Sequence, residues 1–108
     1  KFNTSKVILF SYSQGSSLNL YLASLGYQDV ALSFSGALPS NLYPNKFQKT
    51  KVRIFHGNLD KVVPFEMGLE TYEAFKAQNY DIKFKERKNS HISPPKEIAF
   101  EWIQESLK

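Results

Sequence analysis

Residues 6–26 read KVILFSYSQGSSLNLYLASLG: an apolar run, a cluster of hydroxyls around one glycine, and then a stretch with helical spacing. The run VILF (7–10) has the composition of a strand. From Ser17 to Gly26, Leu18, Tyr21, Leu22 and Leu25 fall at i, i+3, i+4 and i+7, and Gly26 supplies a stop. Between them SYSQGSS (11–17) must turn the chain sharply. A serine at the crest of such a strand-to-helix turn is one way to present a nucleophile, although ordinary loops are also rich in Ser and Gly.

Working outward, three further runs have strand composition: VALSFSG (30–36), VRIFHG (52–57) and DIKFKER (81–87). Helical spacing returns in 65–79, with Phe65, Leu69, Tyr72 and Phe75 on one stripe, and again in 94–108, where Ile98, Trp102 and Ile103 are core candidates. The link 37–50 has no helical period and is expected to be a loop or one short helical turn. Strands alternating with helices imply a parallel sheet, hence an α/β fold of about four strands with covering helices. SYSQG then lies at the carboxyl end of the first strand, where open α/β sheets keep their sites.

Composition bounds the function. The 108 residues form at most one domain, and their 42% hydrophobic content supports a single core. Fourteen Lys and Arg against ten Asp and Glu give +4, but the cations are dispersed, densest in 46–53 and 83–88. In 81–87, alternation puts Lys83, Lys85 and Arg87 on one face and Ile82, Phe84 and Glu86 on the other, the pattern of a solvated sheet face. Nucleic-acid binding would need a broader basic footprint. No apolar run reaches the roughly 20 residues of a membrane span, and KFNTSK lacks the apolar core of a signal peptide. A cytoplasmic location is the expectation. Without Cys there are no thiolate ligands, and two separate His give no metal cluster, so neither metal nor cofactor is expected.

A serine hydroxyl needs a histidine to take its proton, and that histidine needs a carboxylate to fix its tautomer. In hydrolases built on such a sheet the chain order is Ser, acid, His. His56 sits inside a strand and precedes the best acid, whereas His91 follows it in the loop NSHISPP, so His91 is the expected base and His56 a buried supporting residue. Asp60, in HGNLDKVVP, stands just past the third strand at the same sheet edge as Ser13. Glu66, Glu70 and Glu73 lie on a helix, and Asp29 and Asp81 begin strands at the opposite edge.

Together YSQGSSLNLYLAS, LSFSGALP, FHGNLDKVVPFEMG and SHISPPKEIAFEWI resemble the α/β-hydrolase superfamily, most closely its phospholipase/carboxylesterase branch, which includes acyl-protein thioesterases. The resemblance implies Ser13 as nucleophile, Asp60 as orienting acid, His91 as general base and the Gln14 amide as an oxyanion donor. It implies no cofactor, and a small-molecule or acyl-protein ester or thioester as substrate. Leu38, Leu42 and Tyr43 are candidates for the acyl side. Two family glycines are replaced, by Ser11 and Ser16. Members of the family carry further strands before the nucleophile, so residues 1–108 read as the C-terminal part of a hydrolase domain, feeble or inactive alone. The open edge of the first strand would take the preceding half or a second copy. A non-catalytic fragment that assembles through that edge is the alternative.

Overall fold

The computed structural model describes residues 6–108. Four strands, β1 (Ile8–Tyr12), β2 (Val30–Phe34), β3 (Lys51–Gly57) and β4 (Ile82–Arg87), form one parallel sheet in the order β1-β2-β3-β4. Helices α1 (Gly15–Ser24) and α2 (Phe65–Ala77) connect β1 to β2 and β3 to β4, and α3 (Lys96–Ser106) follows β4. This is the expected α/β sheet. The link from β2 to β3 contains a single 3₁₀ turn, Ser40–Leu42. No helix of the described residues is long and apolar enough to cross a membrane.

Alternation along the central strands gives each face of the sheet its own core. Ala31, Val52 and Ile54 meet Leu20 and Ala23 of α1 and Phe75 of α2 on one face. Val30, Leu32, Phe34 and Phe55 meet Ile98 and Trp102 of α3 on the other. Toward β4 that second face turns ionic. Lys83 pairs with Glu105 at 3.5 Å and Arg87 with Glu97 at 2.6 Å, while Arg53 lies between Asp81 and Glu105. The basic face of 83–87 is therefore exposed, as its alternation implies, but two of its cations reach acids of α3. The opposite face of β4 packs Phe84 against Tyr72 and Phe65.

The helix stripes need correction. In α1 the sheet-facing residues are Ser16, Asn19, Leu20, Ala23 and Ser24, whereas Leu18, Tyr21 and Leu25 are exposed. Hydrogen bonds decide this face: Asn19 Nδ2 donates to the carbonyls of Leu9 (3.0 Å) and Leu32 (3.2 Å), and Gln28 Nε2 donates to Asn19 Oδ1 (2.7 Å). A polar side chain that satisfies strand carbonyls can lie against a sheet as well as an apolar one. In α2 the small Gly68 and Thr71 lie inward with Phe75, and Leu69 is exposed. In α3 the buried set is Ile98, Trp102 and Ser106, spaced by four; Ile103, about 100° further round, is exposed.

Leu20 is fully buried and Leu18 is 64% exposed. Leu20→Ala should therefore cost about 2–5 kcal/mol. Leu18→Ala should stay within about 0.5 kcal/mol. Urea unfolding of both variants checks this, and equal losses would mean that α1 is rotated.

Candidate active site

The parallel strands gather their carboxyl-terminal loops at one edge, and three of those loops carry the polar cluster. β1 ends at Tyr12, and Ser13 follows with φ 57°, in the left-handed region that costs a non-glycine residue roughly 1–3 kcal/mol. Hydrogen bonds hold it there: Ser13 N donates to Phe34 O (2.8 Å), and Ser16 N donates to Ser13 O (3.0 Å). The strained turn places Ser13, half-buried, just before the N-terminus of α1.

His91 Nε2 lies 2.9 Å from Ser13 Oγ, and His91 Nδ1 lies 2.7 Å from Asp60 Oδ2. A carboxylate can only accept, so Nδ1 carries the proton and Nε2 is free to take one from the serine. Asp60 is held by the loop after β3, where its Oδ1 accepts from the amides of Val62 and Val63, both at 2.9 Å. Burial alone would raise the Asp60 carboxyl. The His91 hydrogen bond and the Val63 and Val62 amides outweigh it and hold the group below its ordinary value.

The base loop is tied down as well. Leu59 N donates to Asn89 O (3.0 Å), joining the acid loop to the His91 loop. Tyr12 packs on the imidazole with ring centroids 5.3 Å apart. Ser35, a second residue at positive φ (59°), points its hydroxyl to Ile92 O at 3.4 Å.

All three sequence-selected side chains thus meet at one sheet edge. Gln14 is the N-cap of α1, where the first amides lack intrahelical acceptors and the helix dipole is positive. Leu38 is buried in the core, with Leu42 and Tyr43 packed against that core. A depression of about 180 Å³ beside Ser13 is lined instead by Gln14, Ala37, Pro39, Val63 and Met67. A second hollow, lined by Leu59, Val62 and His91, opens beside the imidazole. Pro39, Val63 and Met67 carry no signal in the sequence, because only the meeting of α2 with the loops after β2 and β3 brings them to Ser13. Among the described residues, no group of three or more His, Asp or Glu side chains could hold a metal ion.

The phospholipase/carboxylesterase family model matches residues 2–108. The chain belongs to the phospholipase/carboxylesterase family. Among solved structures it is similar to Zea mays acyl-protein thioesterase 2, with 22% identity and a TM-score of 0.80 over 95% of this chain and 57% of that one. A single-residue variant of Arabidopsis thaliana SOBER1 gives 27% identity and a TM-score of 0.78 over 98% of this chain and 56% of that one. Esterase PE8 gives 24% and 0.79 over 93% and 50%. No curated protein sequence matches the chain. The fold is that of esterase and thioesterase-type hydrolases, and the chain spans about half the length of these solved relatives.

The two serines that the resemblance sets in place of glycines bond one another. Ser11 Oγ and Ser16 Oγ are 3.0 Å apart, and Asn19 Nδ2 donates to Ser11 Oγ at 2.9 Å. The pair ties the end of β1 to the start of α1 across the strained residue. Ser16 also fixes its neighbour: a Cβ on Gly36 would come within 2.3 Å of Ser16 Cβ and 2.5 Å of Ser13 O. Gly36→Ala should accordingly destabilise the protein by about 1–3 kcal/mol, measured by urea denaturation.

A depressed Asp60 carboxyl contributes stability above its unfolded value, near pH 4, and that contribution is lost as pH falls through the lower folded value. Between about pH 5 and about pH 2, denaturation midpoints should fall more steeply for the natural sequence than for Asp60→Asn. Parallel curves would show that Asp60 is not held in this way.

Proposed function

We propose that the complete protein is a cofactor-free serine hydrolase that cleaves carboxylic esters or thioesters through an acyl-enzyme. The observation that carries this is the unbroken line from Ser13 Oγ through His91 to the buried Asp60 carboxylate, at 2.9 and 2.7 Å, behind a serine held at positive φ. Ser13 Oγ attacks the carbonyl carbon while its proton passes to His91 Nε2, and the oxyanion forms beside the Gln14 amide. Collapse breaks the bond to the alcohol or thiol, which leaves with the proton from His91. Water then attacks the acyl-serine, gives a proton to His91, and the carboxylic acid departs as Oγ recovers it. Asp60 stays ionised throughout and stabilises the imidazolium. The depression lined by Ala37, Pro39, Val63 and Met67 supplies one wall for the acyl group.

This reading assigns the chemistry to the whole fold. Among the described residues β1 has a neighbour on one side only, Phe10 and Tyr12 are exposed on it, and Val7 before it and Leu18 and Tyr21 of α1 are exposed as well. Such an edge favours association. In this reading it is covered by the preceding half of the fold, which also brings a second oxyanion donor. The alternative, an assembly module using the same edge on a second copy, would give a 108-residue chain that sediments as a dimer and has no labelled serine.

A fluorophosphonate probe should label the complete protein at Ser13. Ser13→Ala should abolish labelling, and His91→Ala should slow it by about a thousandfold or more. Undiminished labelling of Ser13→Ala would refute the assignment.

A further inference from the structure

The proton path from Ser13 to Asp60 makes no use of a second histidine, yet His56 is buried beside it. Its side chain, near the end of β3, is 0% exposed. Nε2 lies 2.7 Å from the carbonyl of Val63 and 3.5 Å from Asp60 Oδ2. A carbonyl only accepts, so Nε2 is the protonated nitrogen. Nδ1 is buried with no hydrogen-bond partner. It faces Gly68 of α2, where a Cβ would come within 2.4 Å of it. Phe65 meets the ring edge-on, with centroids 6.1 Å apart.

An apolar side chain would fill this position without leaving a nitrogen unpaired, a penalty of the kind that buried polar atoms carry in general. The compensating contact is the one to Val63. That residue gives its amide hydrogen to Asp60 Oδ1 and presents its carbonyl to His56, so its peptide groups are held from both sides. Rotation of that segment would turn the carboxylate away from His91. We propose that His56 is a positioning residue: through Val63 it sets the direction of the Asp60 carboxylate, with Gly68 leaving the space its ring needs. The inference rests on the serine-hydrolase reading for its consequence in catalysis, but not for its geometry.

Three variants of the complete protein test it: His56→Phe removes the donor but keeps a ring, His56→Gln keeps an N–H donor, and Gly68→Ala displaces the ring. His56→Phe should lower kcat on a soluble ester by roughly ten- to a hundredfold, with KM changed by less than about threefold. It should also shift the downfield proton resonance of His91 Nδ1–H upfield. His56→Gln should recover most of both. Gly68→Ala should behave like His56→Phe, and serves if that variant does not fold. An unchanged resonance and kcat in folded His56→Phe or Gly68→Ala would overturn the proposal. So would equal impairment of folded His56→Phe and His56→Gln. The resonance is read without turnover, so it decides the positioning role even if the complete protein hydrolyses no ester.

Discussion

Asp60 carries a carboxylate whose side chain is wholly removed from solvent, and the arrangement of the site depends on how that charge is met. A buried anion without partners would be destabilising by several kcal/mol. Here two backbone amides take one oxygen and the His91 imidazole takes the other, which is why the group stays ionised below the usual carboxylate range. The same bonds that stabilise the charge fix its direction. An oriented imidazole is the consequence, and an oriented imidazole is what a serine at 2.9 Å requires.

The sheet makes this economical in chain length. Four parallel strands in sequence order bring the loops after β1, β2, β3 and β4 to one edge, so residues 31 and 78 positions apart in the chain become hydrogen-bonded neighbours. Apolar contacts hold α3 to the middle of the sheet, and ion pairs of Lys83, Arg87 and Arg53 with its acids hold the margin. The exposed pairs of Lys83 and Arg87 contribute little each, at most about 1 kcal/mol, so Ile98 and Trp102 carry most of the docking.

The serine turn is held together by its own hydroxyls. Ser11 and Ser16, which the resemblance sets in place of two glycines, take each other's hydroxyl as a hydrogen-bond partner. Asn19, inserted among strand carbonyls, completes the network and decides which face of α1 is buried. Leucine spacing could not reveal that, because Leu18, Tyr21 and Leu25 form a coherent stripe that faces away from this sheet.

The sequence by itself determined the strand and helix order and the parallel sheet, because strand composition and helical period are local signals, and it singled out Ser13, Asp60 and His91 as candidates through the chain order of hydrolases on such a sheet. It also separated His56 from His91, since one lies in a strand and the other in a loop. Tertiary structure alone decided what surrounds them: Ser11 against Ser16, Val63 between Asp60 and His56, and Leu38 in the core rather than at the serine. These depend on distances between residues remote or out of phase in the chain, and no periodicity encodes a distance across a sheet edge. The buried face of α1 belongs to the same class, for it was settled by carbonyls of β1 and β2 that needed a donor.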